Sequence, residues 1–501
     1  MRPGCGAEKT PGALRLLALL AVLALALSVI PLYGAAMYAY PGPDDYRYGL
    51  TTHQVWEESR SVFALLTEAG RVSAETYRTW QGSYAAIFLM SLQPGIFSPR
   101  AYGIGPCLLI TVLALSVLYF VYTAVCALLS GTSPEKGGTV RAAGTLLGAL
   151  AAFCCVQFQP YPVEGYFWYN GGVYYTFFFS LALVAGALLL KREQKRAAVS
   201  AVLLPILMFL ISGGNLITAF LSSGLLLLYV CGRGLLGRKA DRLLVCCLLL
   251  LLSLFAVNAF APGNGVRQLE HADVARSPLA AIGAALLDGA VYSCKWAGNP
   301  ATFLCVACVP LFWYMAGLTE LRFRRPLVLA VFSYLLLSAG FTPTEYALGF
   351  AGEYRILDMQ FYLFVLLLLL NLFWLTGWLR RRAKPLSKKA ARRLAGAVCG
   401  AGVLLALGSA VAGRSGACVS AARILVNGAA RSYGETWEER LALLTEDSAE
   451  TVTLPRFTSK PPLLCPLDVT GRVTDTYYWY NQQIEAYYGK SRVLRQLGPE
   501  D

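Results

Sequence analysis

Stretches of about twenty apolar residues recur along the whole chain and constrain its fold more than any other feature. A helix of roughly 20 residues crosses a bilayer, and a chain inside lipid must be helical because its backbone groups find no water there. The composition agrees, since 56% of the residues are hydrophobic and only 14% are charged. We therefore predict an all-α membrane protein with about eleven transmembrane helices, at 14–38, 104–129, 140–158, 173–190, 197–212, 216–231, 243–260, 301–318, 326–341, 358–378 and 394–413.

The net charge of +14 reports topology rather than nucleic-acid binding. Basic residues gather in alternate loops, such as Lys191 with Arg192 and the cluster from Arg380 to Arg393. Cytoplasmic loops carry such an excess of Lys and Arg. The pattern predicts a multi-pass protein of the cell membrane with a cytoplasmic N-terminus, an extracytoplasmic C-terminal tail and some attraction to anionic membrane lipid.

The predicted spans divide the chain into two parts. Residues 1–413 form a polytopic domain whose first outer loop covers 39–102, and residues 414–501 form a small extracytoplasmic region. In the first loop, the sequence from Thr51 to Gln54 is typical of a helix start, and a second amphipathic piece covers Tyr77 to Leu92. Neither piece is apolar enough to span, so both are predicted to lie in the membrane interface.

The tail has its own local signals. Thr436 and Glu439 are spaced as a capping box that would open a helix. Val452 to Leu454 reads as a short strand, and Tyr477 to Tyr488 reads as an aromatic-rich helix. Cys418 and Cys465 would both lie outside, where a disulfide could join them.

Asp44 and Asp45 directly follow the first span and Pro41-Gly42-Pro43. The signatures of soluble nucleotide-binding enzymes, serine hydrolases and zinc proteases are missing from the sequence, so polar residues of the outer loops are the main candidates for chemistry. One aspartate could deprotonate an acceptor hydroxyl while its neighbour supports it. The alternative is structural, with Pro43-Asp44 at a helix start and Asp45 as a first-turn acid.

Arg267 and Arg355 are nearly isolated cations in outer loops that hold few basic residues. A guanidinium group pairs well with phosphate or diphosphate, so both are candidates for binding a phosphorylated group. Each could instead be an ordinary interfacial arginine or part of a structural ion pair, with Glu353 close to Arg355 in sequence.

The two histidines, His53 and His271, fall in outer segments near acidic residues. They are candidates for holding a divalent metal, and the alternative is that both are simply solvated. A divalent metal is the one cofactor that these residues suggest. Outer aromatic and amide side chains could stack on sugars or bind hydroxyl groups, although aromatic belts and turns also use them. Of these we select Trp168, Tyr169, Asn170, Asn215 and Asn264, together with Glu353, as candidate substrate-binding residues.

Five stretches of the chain resemble a known group of proteins. They are Pro43-Asp44-Asp45-Tyr46, Trp168 to Tyr175, Ser212-Gly213-Gly214-Asn215, Ala261-Pro262-Gly263-Asn264 with Arg267, and Trp479-Tyr480-Asn481 with Tyr487-Tyr488-Gly489. In this order they resemble a group of uncharacterised bacterial multi-span proteins related to the GT-C superfamily of integral-membrane glycosyltransferases. The group often has a Trp-x-Gly-Arg stretch after the first-loop acids, and here Trp80-Gln81-Gly82-Ser83 has serine in place of the arginine.

The resemblance implies a GT-C-like fold and transfer of a hexosyl or pentosyl group from a polyprenyl-phosphate donor at the outer membrane face. The acceptor would be a cell-envelope glycan, lipid or protein. A first-loop aspartate would be the base, and an outer-loop arginine would hold the lipid phosphate. Two other classes of protein remain open, a transporter or flippase for a lipid-linked glycan and a non-catalytic scaffold for cell-envelope assembly.

Overall fold

The computed structural model describes residues 12–130, 136–194, 198–237, 241–270, 273–384, 387–446 and 450–498. These residues are almost entirely helical, with two short strands in the tail. The first span and the loop after it form α1 (Gly12–Ala36), α2 (Pro43–Ser59), α3 (Val62–Thr79) and α4 (Tyr84–Met90). Single 3₁₀ turns at Pro94–Ile96 and Pro99–Ala101 close the loop.

The bundle continues through fifteen further helices. They are α5 (Ile104–Leu128), α6 (Gly137–Phe158), α7 (Tyr169–Gly172), α8 (Phe178–Gln194), α9 (Ala198–Ser212), α10 (Leu216–Leu235), α11 (Arg242–Ala259), α12 (Pro262–Glu270), α13 (Pro278–Ala297), α14 (Pro300–Ala307), α15 (Val309–Ala316), α16 (Pro326–Ala339), α17 (Thr342–Leu348), α18 (Tyr354–Arg380) and α19 (Lys388–Val411). Turns of π-helix at Val163–Phe167 and Val173–Phe177 flank the short α7.

The number of membrane spans is smaller than predicted. Nine helices of the described residues are long and apolar enough to cross a membrane, or ten if α13 and the helices after it count as one span bent by 75°. The predicted eleven included 197–212, which forms α9. This helix has 15 residues, fewer than the roughly 20 that a straight span needs. The protein is thus a multi-pass helical membrane protein with nine or ten candidate spans.

The first loop is helical, as expected, but its helices begin elsewhere. Thr51 lies inside α2, so the helix start predicted there is wrong. Helix α2 begins eight residues earlier because Pro43 occupies its first position, where a fixed φ is favourable and no N–H is needed. Ser61 caps α3 by accepting from the Ala64 amide, and α3 packs against α4.

The tail lies against the first loop. It contains α20 (Ala417–Val426), α21 (Ala429–Leu444), α22 (Tyr478–Tyr488) and a parallel pair of strands, β1 (Thr451–Leu454) with β2 (Arg492–Arg495). The predicted strand and aromatic helix are confirmed. Thr436 lies within α21 rather than at a helix start, so the predicted capping box is wrong.

Aromatic packing joins the tail to α2. The ring of Tyr46 lies 5.1 Å from that of Tyr487, and His53 stacks on Tyr487 at 4.7 Å. Cys418 and Cys465 are both free thiols, so no disulfide joins them. Instead, the Cys418 amide donates to Gln157 at the end of α6. We call the end of the bundle that carries α2 to α4 and the tail the site face.

Candidate functional site

Asp45 links three segments at the site face. Its buried carboxylate accepts hydrogen bonds from the amide of Gly42 at 2.7 Å, the hydroxyl of Tyr102 at 2.6 Å and the amide of Asn170 at 3.2 Å. Burial raises the pKa of Asp45 to about 7, although the bonds from Tyr102 and Gly42 oppose this. The sequence left open which aspartate acts as the base and which supports it. Because Asp45 has no exposed surface, it suits the supporting role.

Asp44 is different because its side chain is only partly buried. Burial raises its pKa, while the positive charges of Arg355, Arg47 and Arg267 act on the carboxylate and lower it. These arginines come from α18, α2 and α12, which are far apart in sequence. The structure therefore brings Asp44 together with both arginines that the sequence proposed and with one that it did not.

The two proposed arginines are held by specific partners. Arg355 forms an ion pair with Glu164 at 2.9 Å, and its guanidinium lies 5.0 Å from the centre of the Trp168 ring. Arg267 donates to Oε1 of Gln81 at 3.1 Å. Such contacts restrict these long side chains, so both guanidinium groups are positioned before any ligand arrives.

Trp80 and Arg47 are site residues that sequence reasoning missed. The guanidinium groups of Arg47 and Arg267 lie 5.3 Å and 5.7 Å from the Trp80 ring centre. Arg47 follows Asp44 by three positions on α2, and residues at that spacing share a helix face. This three-residue spacing is the sequence signal from which Arg47 could have been predicted as a neighbour of Asp44. We call Asp44, Arg47, Arg267, Arg355 and Trp80 the arginine–aspartate cluster.

The serine that departs from the Trp-x-Gly-Arg pattern also contacts this region. The hydroxyl of Ser83 is 2.7 Å from that of Tyr174. In this chain the cations next to Trp80 come instead from α2 and α12.

The loop around α7 contributes buried polar groups. Asn170 is 1% exposed, yet neither side-chain polar atom has a hydrogen-bond partner in the described part of the chain, and the same holds for Nε1 of Trp168. Buried polar atoms are usually paired, so these groups could meet a ligand or water. Gly42 is needed beside them, because a Cβ there would lie 2.9 Å from Cδ1 of Trp168.

Other candidates for substrate binding have structural contacts. Asn215 caps α10 by accepting from the Thr218 amide and donates to the Tyr174 carbonyl. Asn264 accepts from the Gly82 amide and donates to two carbonyl groups of α11. Tyr169 packs its ring against Gly105. Glu353 is exposed at the start of α18, next to Arg355.

Of the two histidines proposed as metal ligands, the structure describes His53. Nδ1 of His53 is 2.7 Å from the Ile96 carbonyl oxygen, and Glu57 pairs with Arg60 rather than with the histidine. His271 lies outside the described residues. Among the residues that the structure describes, no three His, Cys, Asp or Glu side chains gather as metal ligands would.

An apolar cavity of about 450 Å³ lies between the spans beneath this region. Its walls come mainly from α5, α8, α9, α10 and α18. Near the site face it is lined by Phe179, Ile211, Thr218 and Leu363. Thr218 is one turn below Asn215, which binds the carbonyl of Tyr174.

No protein-family model matches the chain, and no curated protein sequence matches it. The resemblance to GT-C glycosyltransferases thus remains a prediction, and the site is interpreted from its own geometry.

Proposed function

We propose that the protein is an integral-membrane glycosyltransferase that moves a sugar from a polyprenyl-phosphate donor to an acceptor hydroxyl, with Asp44 as the general base. The observation that supports this most is that three arginines from three elements act electrostatically on the one carboxylate of Asp44. The reaction requires a base that accepts the proton of the acceptor hydroxyl and cations that bind the donor phosphate. Asp44 and the arginines would supply these two requirements.

In this mechanism the acceptor hydroxyl gives its proton to the Asp44 carboxylate. The acceptor oxygen forms a bond to the anomeric carbon of the donor sugar, and the bond from that carbon to the phosphate oxygen breaks. The phosphate leaves with the electron pair, and Arg355 and Arg267 stabilise its added charge. A raised pKa makes Asp44 a stronger base than an ordinary surface carboxylate.

The apolar cavity supports a lipid-linked donor. In this proposal the phosphate binds at the arginine–aspartate cluster, and the prenyl chain enters the cavity past Phe179 and Thr218, two of the residues that line it. Chain burial there would supply binding free energy that does not depend on the sugar. The unpartnered side chain of Asn170 and the indole of Trp168, which contacts Arg355, are candidates to contact the sugar.

The two rival functions have less support. Transport sites usually place polar or charged groups near mid-membrane. Asp358, a buried acid of α18, is instead about one turn from the start of that helix at the site face. A scaffold would have no need to gather Asp44, Arg267 and Arg355 from separate elements.

The test is sugar transfer by the purified protein in proteoliposomes supplied with polyprenyl-phosphate sugars. In Asp44→Asn we expect transfer to fall by about 10²- to 10⁴-fold, the usual contribution of a general base. The matched control is Glu58→Gln, which neutralises an exposed acid at the other end of α2 and should keep full activity.

The stability of both variants should be measured by thermal unfolding, so that loss of the base is distinguished from loss of the fold. Full transfer by a correctly folded Asp44→Asn protein would reject the mechanism. If no polyprenyl-phosphate sugar is consumed by the wild-type protein, the donor class is wrong.

A further inference from the structure

A second group of arginines lies at the face opposite the site face. Helix α18 has 27 residues and is about 40 Å long, so its end at Arg380 is remote from Arg355 near its start. The side chains that line a cavity of about 550 Å³ at this end are Arg322, Phe323, Arg324, Arg325, Arg381 and Arg382. We call it the opposite-face cavity.

Two separate segments build this cavity and are fixed to each other. Arg381, which follows α18, donates to the carbonyl groups of Ala316, the last residue of α15, and of Thr319 and Leu321 in the connection to α16. The indole of Trp374 donates to the Arg324 carbonyl at 3.0 Å. The cavity is therefore a built feature of the fold and not only a run of basic residues.

The backbone of the connection is also constrained. Phe323 is buried, and its ring lies 5.2 Å from that of Phe373. The backbone φ angles of Phe323 and Arg325 are positive, at 43° and 53°, a conformation that residues other than glycine rarely adopt. The buried ring of Phe323, the bond from Trp374 to the Arg324 carbonyl and the bond from the Val328 amide to the Arg325 carbonyl hold this conformation. All three arginines of the connection, Arg322, Arg324 and Arg325, line the cavity as a result.

These arginines lack the acidic partners found at the site face. Within the described residues, no ion pair joins any of the five to a carboxylate, whereas Arg355 has Glu164 and Arg192 has Asp241. Five like charges around one cavity repel each other, and a bound anion would relieve that repulsion.

Tryptophan side chains place the cavity at the height of lipid head groups. Arg382 lies 4.2 Å from the Trp378 ring centre, and Arg380 lies 5.5 Å from that of Trp313. Together with Trp374, these indoles surround the end of α18. Tryptophan is enriched where hydrocarbon meets the head groups.

We propose that the opposite-face cavity binds the phosphate of an anionic lipid head group. Basic pockets between transmembrane helices are suited to such head groups, and guanidinium groups match phosphate oxygens in geometry. This binding is independent of the sugar-transfer reaction, because the two arginine groups lie at opposite ends of α18. Arg322, Arg324, Arg325 and Arg382 supply the ligand contacts, and Arg381 positions the connection.

The experiment measures lipid binding by the full-length protein in detergent, through native mass spectrometry and thermal unfolding. The probes are phosphatidic acid, phosphatidylcholine and inorganic phosphate. The test variant is the double substitution Arg324→Gln and Arg325→Gln. The control is Arg392→Gln with Arg393→Gln, which removes the same charge from exposed positions of α19.

We expect phosphatidic acid to bind tightly and to raise the unfolding temperature of the wild-type and control proteins, with little effect of phosphatidylcholine. The test variant should bind it about thirtyfold more weakly, since each cation near an anionic head group contributes on the order of a factor of five. Sugar transfer should stay unchanged in that variant.

Equal weakening in the test and control variants would show that total charge suffices, and would overturn the proposal. Equal binding of both lipids would also overturn it. Stabilisation by inorganic phosphate as strong as that by phosphatidic acid would assign the cavity to a soluble phosphate instead of a lipid.

Discussion

Arginines gather at both ends of the helical bundle, but their surroundings differ. At the site face, Arg355 and Arg267 are placed around Asp44, and Glu164 balances part of their charge. In the opposite-face cavity, five arginines meet with no paired carboxylate among the described residues. A carboxylate among cations can accept a proton while the cations hold an anion. Cations alone can only bind.

The largest expected effect, after removal of Asp44 itself, comes from Arg355. In Arg355→Gln we expect transfer to fall by roughly 10- to 100-fold, because a charge-assisted hydrogen bond contributes about 1.5–3 kcal/mol. Arg355 also lowers the pKa of Asp44, so its loss should raise that pKa further. Since the base acts when deprotonated, activity should then disappear at a higher pH as the solution is acidified.

The pH–rate profile in proteoliposomes measures both effects. Arg100→Gln is the control, because Arg100 is an exposed arginine of the site face that pairs with Glu438 at 2.8 Å, outside the arginine–aspartate cluster. An acidic limb that stays at the same pH in Arg355→Gln would show that Arg355 does not act on Asp44.

Asp45 should affect stability more than chemistry. Replacing it with Asn leaves three donors facing a group that can accept fewer of their bonds, so we expect a loss of about 2 kcal/mol. Its pKa is raised from 3.8 to about 7, so the unfolded chain loses this proton first as pH rises. The contribution of Asp45 to stability should therefore decline between about pH 4 and pH 7.

Thermal unfolding of wild type, Asp45→Asn and the control Glu58→Gln across this range measures the decline. The wild type and the control should lose stability as pH rises. The part of this loss that is due to Asp45 should be absent from Asp45→Asn. Identical pH dependence in all three proteins would contradict the assignment of Asp45 as the buried link.

The smallest effect is expected for Trp80. In Trp80→Leu we expect transfer to fall by roughly five- to thirtyfold, because the ring has two cation–π contacts that contribute about 0.5–1 kcal/mol each. The control is Trp56→Leu, since Trp56 lies in the same loop and contacts Arg60 and Phe97 instead. Equal losses in the two variants would show that Trp80 acts through general packing.

The sequence predicted the local features of the first loop unevenly. It located the acids at the end of the first span, and it kept open the structural alternative that Asp45 now fits. The side-chain pattern at Thr51 predicted a helix start there, but Thr51 lies inside α2, which begins at Pro43. Local caps compete with longer helices, and the longer helix gains more packing.

Asp44 and Asp45 show most clearly what the sequence could and could not decide. Hydrophobic length alone determined that the chain is a multi-pass helical membrane protein, because backbone hydrogen bonding in lipid permits little else. Which aspartate is buried depended on α7 and Tyr102, which meet Asp45 from distant parts of the chain. The gathering of Arg47, Arg267 and Arg355 around Asp44 likewise required helix packing, since contacts between remote segments leave no periodic signal in a single sequence.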